Sequence, residues 1–112
     1  MAVTINTPNP SSLLNSIKRA IDTREIQTWT YDKDGDFTHS AQQWNRQAWL
    51  RPSIAPGALI LNILGPEGEP ISKEIYGIYH GRFIEMLLVH FDEQFSNADA
   101  TAMPTYADAL SA

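Results

Sequence analysis

A chain of 112 residues, 43% hydrophobic and 10% aromatic, is long enough for one packed domain and too apolar for intrinsic disorder. A formal net charge of −5 argues against general binding to nucleic acid backbones or anionic membrane surfaces, both of which call for a surplus of Lys and Arg. Without cysteine there are no disulfides and no thiolate metal sites.

The opening MAVTINTPNPSS lacks the basic and apolar regions of a secretory signal, and no apolar run approaches the length of a membrane span. A cytoplasmic protein is the expectation. Residues 1–9 read as an arm. Asn9-Pro10 supplies an N-cap followed by proline at the first helical position, where its missing N–H costs nothing. Leu13, Leu14, Ile17, Ala20 and Ile21 then fall on one helical face, and the helix should end near Thr23.

Ile26 to Tyr31 alternates and is rich in β-branched and aromatic residues, which predicts a strand. Asp32 to Asp36 is a hairpin turn with Gly35 free to take a positive φ, and Phe37 to His39 pairs back. Ser40-Ala41-Gln42-Gln43 has the form of a capping box and should open a short helical turn that holds Trp44. Ala48 to Arg51 reads as a short strand and Pro52 to Gly57 as a loop.

Ala58 to Leu64, ALILNIL, is the strongest strand signal and is apolar on both faces, as in a central strand covered on both sides. Either Ser40 to Pro56 folds over the second face or another copy of the chain does. Gly65 to Pro70 is a loop, and Ser72 should cap a long helix.

That helix spans Ile71 to Phe91 and carries two apolar seams. One contains Tyr76, Tyr79, Phe83, Met86 and His90; the other contains Gly77, Gly81, Ile84, Leu88 and Phe91, turned by more than about 100°. Two seams imply two neighbours. Each helical glycine costs about 1 kcal/mol relative to alanine, and close approach of another helix would offset it. Residues 10–22 are placed ahead of a second copy as that helix, so Gly81→Leu is expected to destabilise by about 1–3 kcal/mol.

The predicted architecture is α+β: a small antiparallel sheet of three or four strands packed against an N-terminal helix and a long C-terminal helix. Residues 1–95 form the domain, and residues 96–112, small and polar, form a loosely held tail.

The chemistry-bearing residues fall into four groups. Asp32, Asp34 and Asp36 suggest a calcium loop, but an EF-hand needs glycine at its sixth position and glutamate at its twelfth, where Phe37 and Gln43 stand. The hairpin reading suffices, and no metal is assigned. Trp44, Arg46, Trp49 and Arg51 interleave aromatic and cationic groups; against the acidic background this pattern favours a core anchor or protein interface over a single-stranded nucleic acid.

His39, His80 and His90 lack zinc-ligand spacing. His90 is expected to be hydrogen-bonded and partly buried. Tyr76, His80 and Arg82 gather a phenol, an imidazole and a guanidinium within two turns, which suits a small acidic ligand or acid–base work and equally the rim of an interface.

No nucleophile or phosphate-binding motif is present. The functional expectation is a small acidic protein-binding domain of the inhibitor, immunity or adaptor kind, not an enzyme. It needs no cofactor, and its partners are another protein and its own second copy. The rival is a small-molecule binder or enzyme built on Tyr76, His80 and Arg82. A cavity beside His80 would favour the rival; a flat aromatic surface at Trp44 and Trp49 would favour the protein interface. His80 itself is expected on the rim.

Overall fold

The computed structural model describes residues 3–66, 70–104 and 108; the remainder of the 65–70 loop and of the tail lie outside the described residues. Its elements are β1 (Val3–Asn6), α1 (Pro10–Asp22), β2 (Trp29–Tyr31), β3 (Phe37–His39), β4 (Trp49–Ala55), β5 (Ala58–Leu64), α2 (Lys73–His90) and β6 (Asn97–Ala100). The strands form one antiparallel sheet of six in the order β2-β3-β4-β5-β1-β6.

The α+β class and the antiparallel sheet follow the sequence pattern, but six strands replace the expected three or four. β1 comes from the segment read as an arm and β6 from the segment read as a tail. Both are four-residue strands, too short to show a period, and they exist because β5 offers its edge to β1 and β1 offers its own to β6.

β4 also runs further than expected, through Pro52 to Ala55. It pairs with β5 along its whole length and with β3 only at Leu50 opposite Phe37, so Pro52 lies on an edge that tolerates its missing N–H.

Register assigns the faces. Leu59, Leu61 and Ile63 of β5 share the inner face with Val3, Ile5, Leu50 and Phe37, and all are fully buried. Leu13, Ile17 and Ala20 of α1, and Tyr79, Phe83, Met86 and Leu87 of α2, close over that face in one core cluster. Trp29 sits at the junction, with its ring edge-on to Tyr79 (5.5 Å) and Phe83 (5.1 Å).

β5 is central, as ALILNIL requires. The segment from Ser40 to Pro56 does not fold over its outer face, because its second half is β4 in the same sheet; Ile60 and Leu64 stay half-buried there.

Pro10 opens α1, but the side chain of Asn9 before it makes no capping hydrogen bond; the Ser72 hydroxyl accepts from the Ile75 N–H at 3.1 Å and caps α2. Gly35 takes φ +85° in the β2–β3 turn, where the Asp32 carboxylate accepts from the Asp34 and Asp36 N–H groups.

Residues 41–47 form a single turn, but Ser40 does not cap it: its hydroxyl donates to the Gln27 carbonyl at 2.5 Å. The turn is held from the other side by Tyr79. That buried phenol donates to the Trp44 carbonyl and lies 3.0 Å from Thr38 Oγ1, which donates to the Ala48 carbonyl and accepts from the Arg46 N–H. The gap where β3 parts from β4 is thereby filled by a side chain of α2.

Candidate functional site

α2 positions most of the residues with functional potential. Of its first seam, Tyr79, Phe83 and Met86 are buried and Tyr76 is half-buried, whereas His90 is exposed at the helix end instead of partly buried. Of the second seam only Phe91 enters the core. Gly77, Gly81 and Leu88 face outward, with half-buried Ile78 and Ile84 beside them; Leu88 is 58% and Val89 67% exposed.

A methyl group built on Gly77 or Gly81 would meet nothing within 4 Å among the described residues. The expectation that α1 packs on these glycines is therefore wrong. α1 lies against the sheet instead, because Leu13, Ile17 and Ala20 form one stripe and that stripe is consumed by the inner face. The sign expected for Gly81→Leu reverses with it. The outward side of α2 is mixed: exposed Leu88 and Val89 lie there with Glu74, Arg82 and Glu85.

The Tyr76–His80–Arg82 cluster divides. Tyr76 and His80 stack with ring centroids 3.8 Å apart, on the side of α2 next to residues 100–104. The Tyr76 hydroxyl donates to the Thr101 carbonyl at 2.9 Å, and Ile71, Gly77, Ala100 and Met103 complete a mainly apolar cavity of about 650 Å³. Arg82 projects elsewhere, towards His39, whose pKa is lowered by burial and then by the Arg82 charge.

His80 is only 4% exposed, so it is a buried residue and not a rim residue. Its Nδ1 lies 2.6 Å from the Tyr76 carbonyl, which makes Nδ1 the protonated nitrogen and Nε2 a bare acceptor. Nε2 is buried without a hydrogen-bond partner among the described residues. Burial lowers the His80 pKa, against opposing contributions from the Tyr76 carbonyl and the Asp108 charge. Asp108 is itself engaged, accepting from the Ile63 N–H at 2.9 Å and the Asn62 side chain at 3.2 Å. The sequence could not have signalled this approach, since Asp108 is far from His80 along the chain.

The tryptophan–arginine segment does not form one surface. Trp44 packs half-buried against the core. Arg46 and Trp49 border a polar groove of about 550 Å³ with Thr30, Thr38 and Asn45. Arg51 turns away to Asp36, bonding its carboxylate through Nε (2.9 Å) and Nη2 (2.8 Å). No flat aromatic platform results.

Asp32, Asp34 and Asp36 bring carboxylate oxygens within 4.8 Å of one another, but Asp36 is held by Arg51 and Asp32 by the turn N–H groups. Among the described residues no helix is long and apolar enough to cross a membrane. Compared with known proteins, the chain matches no family model, no curated protein and no solved structure.

Proposed function

We propose that this chain is a protein-interaction domain and that its docking surface is the outward face of α2. The observation that carries the reading is the exposed apolar surface on the side of α2 away from the core, where Leu88 is 58% and Val89 67% exposed beside the open Gly77 and Gly81. Gly77, Gly81 and Leu88 form an exposed uncharged row, with half-buried Ile84 beside it and exposed Glu74 and Glu85 on its flank. Such a surface gains free energy by being covered, at about 25 cal/mol for each Å² of apolar area removed from water. It offers no group for covalent chemistry.

The test compares the immobilised wild-type chain with an Ile84→Glu/Leu88→Glu variant for proteins retained from the source cell. The expected partner is retained by wild type only, and once purified it shields the Leu88 and Val89 methyl resonances. Equal retention by the variant refutes the assignment.

A second reading has its own support in the His80 cavity. Its volume of about 650 Å³ falls within the usual range for small-molecule sites, and its walls are apolar apart from Tyr76, His80 and a few flanking polar groups. A small apolar ligand with one hydroxyl or amine donor would satisfy the bare Nε2 of His80, at a site where an unpaired buried acceptor costs about 1–3 kcal/mol. Screening a library of small alcohols and phenols by thermal shift tests this reading: hits must lose their effect in His80→Phe, and hits indifferent to that change refute it.

A further inference from the structure

The cavity beside His80 has its unpaired polar groups at its two ends. Lys73, Gly77 and His80 all line it and are spaced four and three residues apart, so they stand above one another on the side of α2 next to residues 100–104. Seven residues separate Lys73 from His80, which sets them about 10 Å apart along the helix axis and about 20° apart around it. Between them the wall is the bare backbone of Gly77, flanked by Ile71, Ala100 and Met103.

The two ends lack partners in opposite senses. His80 is 4% exposed, and its Nδ1 donates to the Tyr76 carbonyl at 2.6 Å. Nε2, on the far side of the ring from that bond, is therefore an acceptor, and no donor reaches it among the described residues. At the start of α2 the Ser72 hydroxyl takes the Ile75 N–H, but the N–H groups of Lys73 and Glu74 have no acceptor among the described residues. Nor does the Lys73 ammonium pair with a carboxylate there. The other polar side chains are engaged within the chain, Tyr76 with the Thr101 carbonyl and Ser72 in the cap.

We infer that the ligand of this cavity is a hydroxyaryl carboxylate. Its phenol donates to His80 Nε2, its ring lies over Gly77, and an acid arm carries its carboxylate to Lys73 and the N-terminus of α2. The inference rests on the small-molecule reading of the cavity.

Charge fixes which way round the ligand lies. Burial lowers the His80 pKa, so the imidazole is neutral near pH 7, and Asp108 is close enough for its charge to act on the ring. A carboxylate at that end would meet a lone pair and a like charge. A helix N-terminus beside an ammonium favours an anion at the other end. Glu74 also stands in the first turn, but it is outside the cavity wall.

Shape selects a ring over an alkyl chain. A flat face can lie against helix backbone where Gly77 carries no side chain, and the Met103 thioether on the same wall packs well on aromatic rings. With a hydrogen bond at each end, one ring and a two-carbon acid arm cover a span of about 10 Å.

Titration calorimetry of the full chain with three probes tests this. They are 3-(4-hydroxyphenyl)propionate, 3-phenylpropionate, which lacks the donor, and 4-propylphenol, which lacks the acid. The hydroxy acid should bind about tenfold more tightly than either of the others. Lys73→Glu should weaken the hydroxy acid by about tenfold and leave 4-propylphenol unchanged. An acid in the first helical turn favours the helix, so that loss does not arise from unfolding. His80→Phe should remove the advantage of the hydroxyl, and Gly77→Leu should block the hydroxy acid without lowering Tm.

The inference is overturned if the hydroxy acid fails to bind or binds no better than either of the other probes. Indifference to Lys73→Glu or to Gly77→Leu overturns it as well. The small-molecule reading survives those results where some alcohol or phenol still stabilises wild type but not His80→Phe, and falls where none does.

Discussion

Replacing Gly77 and Gly81 together by alanine should stabilise the chain. Each glycine in a helix interior costs about 0.8–1.0 kcal/mol relative to alanine through the extra backbone freedom it loses on folding. In most packed helices that gain is offset by a clash, but the added methyl groups here meet nothing within 4 Å among the described residues. The full gain of about 1.5–2 kcal/mol should therefore appear, and for a domain of this size it corresponds to a Tm rise of roughly 5–10 °C.

The assay is thermal unfolding of wild type and variant, followed by circular dichroism at low concentration. An unchanged or lowered Tm at low concentration would refute the reasoning, since it would mean that something within the chain closes on these glycines.

Tyr79→Phe should destabilise by about 1 kcal/mol, because it removes the buried phenol that donates to the Trp44 carbonyl and leaves that oxygen only the longer bond from the Gln47 N–H at 3.3 Å; urea unfolding measures this, with the turn at residues 41–47 losing amide protection first. Arg51→Ala should cost about 1 kcal/mol: the guanidinium is 56% exposed and screened, but the Asp36 carboxylate it holds is 7% exposed and loses a two-point contact, so the loss should also shrink at high salt. Stability should be full above about pH 6.5 and fall as acid passes through the lowered folded pKa values of His39 and His80, because the unfolded chain takes up those protons first; denaturant midpoints from pH 7.5 to 5.5 should show a slope that His80→Gln reduces.

Legibility followed the strength of the local signal. α1, the β2–β3 hairpin turn, β5 and α2 were readable because each carries a sustained period, a cap or a residue that needs positive φ. β1 and β6 were not, because four residues show no period and their strand state is conferred by the neighbouring edge. The end of β4 was hidden behind Pro52, which reads as a breaker unless the strand is known to lie on an edge.

The candidate site divides on the same principle. Sequence alone determined that α2 has two apolar seams, that Gly77, Gly81, Ile84 and Leu88 share one of them, and that Tyr76 and His80 are neighbours a turn apart, because a helix fixes the angular relations of its own residues whatever surrounds it. Tertiary structure decided which seam enters the core and which stays open. It also sealed His80 beside the segment at residues 100–104 and sent Arg82 to His39 and Arg51 to Asp36. Those outcomes depend on segments distant in sequence arriving at the same place, and that is set by how the sheet orders its strands, which no local pattern encodes.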